Sequence, residues 1–171
     1  MSRIPLITAR EGLDADGRAV FDRIVESRGL ILRPFEVLLH APPMADGVAA
    51  LGHVVRSGSR LTDADRELIT LATGRAHGCA FVWESHLEAA RAAGLEPATI
   101  AALERGDDEG VGGREATLVS FVRELCATGA VSDETFRGAH DVLGTPGVVE
   151  MALIVGYYTM LGYTMNAVEA C

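Results

Sequence analysis

Three residues with chemically active side chains lie close together near the middle of the chain: Glu67, Cys79 and His86. Eleven residues separate the carboxylate from the thiol, and six separate the thiol from the imidazole. Carboxylates and imidazoles perform general acid–base catalysis, and a cysteine thiol is a strong nucleophile. The spacing therefore predicts either proton transfer or thiol chemistry, provided that the fold brings these groups to one cleft.

Two helices are predicted to position these side chains. Thr62 is a good N-cap, and Asp65 three residues later completes a variant of the capping box. We therefore expect a helix over residues 63–77. Gly78 breaks that helix, and a second helix is predicted over residues 79–93, where a following glycine suits its carboxyl end.

Antiparallel pairing of the two helices about residue 78 places Glu67 within one turn of His86. One face of the second helix carries, at i, i+3, i+4 and i+7, the residues Cys79, Val82, Trp83 and His86. Cys79 and His86 are then two turns apart, ~10 Å at 1.5 Å per residue. The thiol and the imidazole are therefore not expected to form a direct hydrogen bond.

Helix caps and glycine stops repeat along the whole chain, and no segment shows the alternating pattern of a strand. We predict an all-α bundle that forms one domain, residues 1–171. An acidic, glycine-rich loop at residues 106–113 is expected to divide it. The catalytic half is predicted at residues 1–105, with the core helix pair at 62–94, and the packing half at 114–171.

A last helix is predicted to begin with Thr145 as its N-cap and Pro146 at its first position. Its residues 151–168 carry no formal charge, a length that just reaches the threshold for crossing a membrane. No basic flank sets an orientation in a bilayer. We therefore predict that this helix is buried in the core of a homo-oligomer, and that the protein has no membrane partner.

Charge and cysteine usage exclude several partners and compartments. The 24 acidic and 15 basic residues give a net charge of −9, and no basic run is present, so no nucleic-acid partner is predicted. The amino terminus lacks the apolar stretch of a signal peptide. The three cysteines are widely spaced and odd in number. These features predict a cytoplasmic protein with reduced thiols.

The chain contains no lysine, so Schiff-base catalysis and a covalent pyridoxal phosphate site are excluded. It has neither a glycine-rich dinucleotide motif nor a phosphate-binding loop with the usual spacing. The spacing of its histidines and cysteines matches no standard set of metal ligands. We therefore predict no cofactor and no metal.

The order Glu67-x11-Cys79-x6-His86 resembles alkylhydroperoxidase D, whose pattern is Glu-x11-Cys-x-x-Cys-x3-His. The chain departs from it at Val82, where that family has its second cysteine, and at Phe81, where the peroxidase has a histidine. It is more widely similar to the carboxymuconolactone decarboxylase family, especially to a branch with a Gly-x-x-Tyr-x-Trp-x-x-His helix. Residues 34–56 and 148–169 resemble flanking segments of that branch.

The resemblance implies an AhpD-like helical bundle that assembles as a dimer, trimer or hexamer and acts on a small molecule. The first function that it suggests is cofactor-free decarboxylation, isomerisation or a related lyase step on a small organic acid or lactone. His86 would deliver the proton, and Glu67 would set its tautomer and charge. An arginine such as Arg56 would hold the substrate carboxylate. The pocket is predicted to include Phe81, Val82, Trp83, Arg56 and Tyr157.

Two alternatives stay open from the sequence. The first is a single-cysteine peroxidase that uses Cys79 and needs an external thiol, because Val82 removes the second cysteine. The second is a family member that has kept the fold and lost catalysis. Each residue also has a structural interpretation: Glu67 as a surface residue of a helix start, His86 as a structural histidine, and Cys79 as a small apolar filler.

Overall fold

The computed structural model describes residues 2–171, and within them the chain forms eight α-helices and no strand. The all-α prediction is confirmed. The helices are α1 (Ala15–Arg28), α2 (Arg33–Leu38), α3 (Pro42–Ser57), α4 (Asp63–Ala76), α5 (Ala80–Ala92), α6 (Pro97–Arg105), α7 (Gly113–Thr128) and α8 (Asp133–Ala167).

Local capping explains where these helices begin and end. The side chain of Asp14 accepts a hydrogen bond from the Gly17 backbone N–H at 2.8 Å, which starts α1. Thr62 accepts from the Asp65 N–H at 3.1 Å and starts α4, as the sequence predicts. Gly29, with a φ of 81°, adopts the left-handed conformation that ends α1 and that glycine accommodates without a steric penalty.

The carboxyl-terminal element α8 is interrupted at Gly144, which has a φ of 65° and a ψ of 174°. Two helical segments meet there, residues 133–143 and the last helix, which the sequence predicts to begin with Thr145 and Pro146. The left-handed conformation that glycine accommodates ends the first segment. Proline, which lacks the N–H for a helical hydrogen bond, suits the first turn of the second segment.

The described chain consists of two compact units. The first comprises residues 2–59 with Thr164–Cys171, and the second is Arg60–Tyr163. The first unit contains α1, α2 and α3, and its core includes Val20, Ile24, Phe35, Leu39 and Ala45. The predicted division into a catalytic half and a packing half stays a prediction.

Helix α4 is the central element of the second unit. It packs against α5, α6 and α7, and every residue from Leu68 to Gly74 is buried. At its start, Asp65 forms a two-point ion pair with Arg114 of α7, with Nε–Oδ1 and Nη2–Oδ2 distances of 2.9 and 2.8 Å. Burial raises the pKa of Asp65, but the hydrogen bonds from Arg114 and Thr62 outweigh it and hold that pKa below its usual value.

Helices α4 and α5 approach each other most closely at Gly74. A Cβ atom added there would lie 2.8 Å from Val82 Cγ1 and 3.1 Å from Val82 Cβ. Since real Cβ atoms do not approach other atoms within 3.0 Å, the absence of a side chain at Gly74 allows this helix pair to close. Val82 is 2% exposed. The contact therefore fixes the register of α5 along α4.

Helix α8 crosses the face of α5 that carries Cys79. A Cβ atom added at Gly162 would lie 3.6 Å from Cys79 Cβ and 3.6 Å from His77 Cβ. By length and composition α8 is the helix within residues 2–171 that is able to cross a membrane, but half of its most apolar stretch is buried. Met151, Ile154 and Leu161 are among its buried residues, so α8 is a core helix of the fold.

We expect Gly74→Ala to destabilise the protein by about 1–3 kcal/mol, the usual cost of overpacking a filled interior. The added methyl group forces α4 and α5 apart at Val82. The measurement is urea unfolding followed by circular dichroism. Gly47→Ala is the matched control, because Gly47 is exposed on α3 and its added Cβ would meet nothing within 4 Å. That control should be stabilising by about 0.4–1 kcal/mol, and an equal effect of both variants would contradict the close approach.

Candidate active site

The carboxylate of Glu67 and the imidazole of His86 are in direct contact. His86 Nδ1 lies 2.8 Å from Glu67 Oε2, between the first half of α4 and the middle of α5. The side chain of Glu67 is 15% exposed and that of His86 is 20% exposed. The predicted register of the two residues is therefore confirmed, and their catalytic role stays a prediction that the geometry permits.

This hydrogen bond assigns the tautomer of His86. An ionised carboxylate accepts hydrogen bonds and donates none, so the proton of the shared bond belongs to Nδ1. The neutral imidazole then has its lone pair on Nε2, which can accept a proton from a reacting group. The imidazolium form can return that proton from the same atom. The pair is thus arranged for proton transfer at Nε2.

A tyrosine packs on the imidazole, and it is Tyr158. The ring centroids of His86 and Tyr158 are 5.1 Å apart, with an interplanar angle of 85°. Tyr157, which the sequence predicts as a pocket residue, packs edge-to-face on Tyr158 at 5.1 Å. Both tyrosines are buried, at 5% and 6% exposure. The sequence does not distinguish Tyr157 from Tyr158 as the residue that contacts His86, because the contact depends on how α8 is rotated against α5.

Cys79 is the N-cap residue of α5, and its side chain forms no capping hydrogen bond. It is only 1% exposed, since α5 packs beneath Gly162 of α8 at this point. Cys79 nevertheless contributes to the wall of a cavity of about 290 Å³. Trp83, Arg75, Glu84 and Glu104 also line this cavity, which neither Glu67 nor His86 lines.

The wall of this cavity is mostly apolar but includes charged residues of both signs. Arg75 Nε donates a hydrogen bond to the backbone carbonyl oxygen of Glu104 at 3.0 Å. Two acidic residues, Glu84 and Glu104, line the same cavity. The predicted pocket residue Trp83 lies here, but Arg75, Glu84 and Glu104 were not predicted, because they come from α4, α5 and α6 and share no sequence spacing.

The remaining predicted pocket residues are dispersed. The Val82 side chain packs against Gly74, which places it in the interface between α4 and α5. Phe81 is half-buried on α5. Arg56 lies on α3 in the first compact unit and is exposed. Among residues 2–171, no group of three or more histidine, cysteine, aspartate or glutamate side chains is arranged to hold a metal ion.

A second histidine, His77, is hydrogen-bonded in the second unit. His77 Nε2 lies 2.9 Å from Thr159 Oγ1, and its ring packs edge-to-face on Tyr163 with centroids 4.8 Å apart. Burial lowers the pKa of His77. Thr159 is 82 residues away along the chain, so no local pattern could have revealed this contact.

Comparison with known proteins identifies related sequences and folds. A family model described as the carboxymuconolactone decarboxylase family matches residues 42–124. No protein of curated function matches the sequence.

Three crystal structures are similar to this chain in fold. A protein of unknown function from Agrobacterium tumefaciens, named as a candidate antioxidant defence protein AhpD, has a TM-score of 0.67 and 21% identity, over 77% of this chain and 92% of its own. An uncharacterised peroxidase-related protein with an alkylhydroperoxidase AhpD core, from Ralstonia eutropha JMP134, has a TM-score of 0.78 and 20% identity, over 99% and 91%. A cysteine-to-alanine variant of the debrominase Bmp8, in complex with 2,3,4-tribromopyrrole, has a TM-score of 0.75 and 15% identity, over 99% and 92%. At these identities the likeness concerns the fold.

We expect Tyr158 to hold the His86 ring in the plane that directs Nδ1 at Glu67. A histidine ring rotates easily about its second side-chain torsion unless its neighbours restrict it. Tyr158→Leu should therefore weaken the preference for the Nδ1–H tautomer, and Tyr158→Phe, which retains a ring, should preserve it. Nitrogen-15 NMR of labelled histidine reports the tautomer without any substrate. The same tautomer ratio in both variants would show that the ring contact does not orient His86.

Proposed function

We propose that this chain, which belongs to the carboxymuconolactone decarboxylase/AhpD-like superfamily, is an enzyme of cofactor-free acid–base chemistry. The substrate class is a small organic acid or lactone, and the reaction is a decarboxylation, an isomerisation or a related lyase step. The observation that supports this proposal is the 2.8 Å hydrogen bond between Glu67 and His86, two largely buried side chains.

In a decarboxylation of this kind, the bond between the carboxylate and the α-carbon breaks, and its electron pair stays on that carbon as a carbanion or enolate. His86 then delivers a proton to the carbon from Nε2. The negative charge of Glu67 stabilises the imidazolium that carries this proton, and partial burial strengthens their attraction. An isomerisation uses the same pair, with His86 removing a proton and returning it to a different atom.

Substrate binding requires a group that recognises a carboxylate, and arginine is the residue best suited to it because it can donate two parallel hydrogen bonds. Arg56 stays a proposal for this role. Arg75 is not assigned this role, because the cavity that it lines includes neither Glu67 nor His86. Trp83, which lies one turn before His86 on α5, would provide an apolar surface for the substrate.

A second candidate function is peroxide reduction by Cys79, and the cavity beside this residue is the observation that favours it. The Cys79 thiolate would attack one oxygen of a hydroperoxide, and the O–O bond would break. The other oxygen would depart as an alcohol after taking up a proton, and Cys79 would become a sulfenic acid. An external thiol would then reduce that sulfenic acid. The 1% exposure of Cys79 and the valine at position 82 both oppose this function.

For the acid–base function we expect Glu67→Gln and His86→Asn to retain the fold and to lose most activity. General acid–base groups typically contribute ~100- to 10,000-fold in rate, so the loss should be of that order. The assay is turnover of a panel of small lactone carboxylic acids and β-keto acids. Glu88→Gln is the control, because Glu88 is exposed on α5 and pairs with Arg91 of the same helix. Near-wild-type turnover in both variants would end this proposal.

For the peroxidase function, the measurement is hydroperoxide consumption with an excess of dithiol. We expect weak or no consumption by the wild type and little change of lactone turnover in Cys79→Ser. Val82→Cys should create a redox-active pair, because positions i and i+3 at a helix start have the spacing of the peroxidase family. Rapid peroxide turnover by the wild type that disappears in Cys79→Ser would make the single-cysteine peroxidase the better function.

We also propose that the chain forms a homo-oligomer, a dimer, trimer or hexamer, in the cytoplasm. The outer face of α8 exposes four large apolar residues at helical spacing: Val149, Leu153, Met160 and Tyr163. Monomeric proteins seldom expose a continuous apolar patch of this kind. Sedimentation velocity at micromolar concentration should show an assembly that Leu153→Glu shifts towards the monomer. A wild-type monomer would contradict the proposal.

A further inference from the structure

The cavity at the start of α5 is separate from the acid–base pair. It has a volume of about 290 Å³, and neither Glu67 nor His86 lines it. This volume lies just below the range of ~300–1,000 Å³ that is typical of ligand pockets. The connection from α4 to α5 leaves the space open, because Gly78 has no side chain and those of Cys79 and Ala80 are small. The cavity therefore suits a molecule of about the size of an amino acid.

An arginine provides the positive charge of the wall. Arg75, in the last turn of α4, donates a hydrogen bond from Nε to the backbone carbonyl oxygen of Glu104 at 3.0 Å. This bond holds the guanidinium at the carboxyl end of α6 and uses one of its five N–H groups. Within residues 2–171 Arg75 forms no ion pair, so its two terminal nitrogens can donate to the carboxylate of a ligand.

Two carboxylates provide the negative charge, and they belong to Glu84 on α5 and Glu104 on α6. Neither carboxylate has an ion-pair partner in the described part of the chain. Arginines elsewhere in the second unit do pair with acidic residues, as in Arg91, Arg105 and Arg114. Charges of opposite sign thus line one small cavity without neutralising each other. A ligand that carries both signs of charge would satisfy them.

Trp83 adds an aromatic surface to the same wall. The residue is half-buried, so part of its indole ring can be reached from the cavity. An aromatic or aliphatic group can pack on this ring and remove apolar surface from water. Trp83 is also the only tryptophan in the sequence, and its fluorescence therefore reports on this cavity.

We propose that this cavity binds a free α-amino acid with an apolar side chain. The carboxylate of the amino acid accepts hydrogen bonds from Arg75, and its side chain packs on Trp83. Its ammonium group donates hydrogen bonds to the carboxylates of Glu84 and Glu104. An anion without the ammonium group would meet two carboxylates and only one guanidinium. The acid–base pair does not line the cavity, so this proposal does not depend on the proposed function.

The experiment is a titration of the purified full chain at neutral pH with three probes, followed by Trp83 fluorescence and by isothermal titration calorimetry. L-Phenylalanine has both charged groups, 3-phenylpropanoate lacks the ammonium group, and phenethylamine lacks the carboxylate. We expect L-phenylalanine to bind with a dissociation constant below ~1 mM. The other two probes should bind at least ~10-fold more weakly, because each leaves a charge of the wall without a partner.

Two variants remove the charges of the wall separately. Arg75→Gln should weaken binding of L-phenylalanine by ~10- to 100-fold and bring its affinity close to that of phenethylamine, because the carboxylate then has no cationic partner. Glu84→Gln combined with Glu104→Gln should weaken L-phenylalanine binding and improve binding of 3-phenylpropanoate. Arg18→Gln and Glu26→Gln are the matched controls, because both residues are exposed on α1 in the first unit, and both should retain the wild-type affinity.

Three results would each overturn the proposal. They are no binding of L-phenylalanine up to ~10 mM, equal affinity of the wild type for all three probes, and an unchanged affinity in folded Arg75→Gln. If Arg75→Gln does not fold, the comparison of the three probes on the wild type still decides, because it needs no substitution.

Discussion

The contact between Gly74 and Val82 is the constraint on which the candidate site depends. Two helices joined by a three-residue connection have little freedom in direction, but they can still slide or separate. The absent side chain at Gly74 lets α5 come close enough for Val82 to fill the space above the α4 backbone. With the register fixed there, Glu67, two turns from Gly74, meets His86, one turn from Val82, at an Oε2–Nδ1 distance of 2.8 Å. The acid–base pair is thus a consequence of packing between two backbones.

The position of α4 explains why the pair is only partly open to water. This helix is buried on all sides from Leu68 to Gly74 and is tied to α7 through the ion pair between Asp65 and Arg114. Glu67 lies between these two anchored regions, so its backbone has little freedom to move. Only the carboxylate of this pair is buried, since the Arg114 side chain is 47% exposed and that of Asp65 is 6% exposed. Removing Arg114 would leave the buried carboxylate without a compensating charge. The value of the ion pair here is that it fixes the start of the helix that carries Glu67.

Helix α8 decides which of the reactive groups the solvent can reach. Gly162 lets it approach Cys79 and His77 closely, and this packing covers the thiol. One turn earlier, Thr159 bonds to His77, and Tyr158 packs on the ring of His86. The same helix therefore covers Cys79, forms a hydrogen bond with His77, and packs on the histidine of the candidate active site. Cys79 and His86 lie against consecutive turns of α8.

The sequence alone determined the helices and the pairing of Glu67 with His86, because both depend on local physics. These signals act within a few residues: the Thr62 cap, the break at Gly78 and the 3.6-residue period. Because the connection between α4 and α5 is short, the two helices are expected to pair antiparallel. The break at Gly144 is likewise local, because Thr145 as an N-cap and Pro146 at the first helical position predict that the last helix begins there. Only the tertiary structure decided that Tyr158 contacts His86, that Thr159 bonds to His77 and that Cys79 is covered. Those contacts depend on the rotation of α8 against distant helices, and that rotation results from packing over the whole unit.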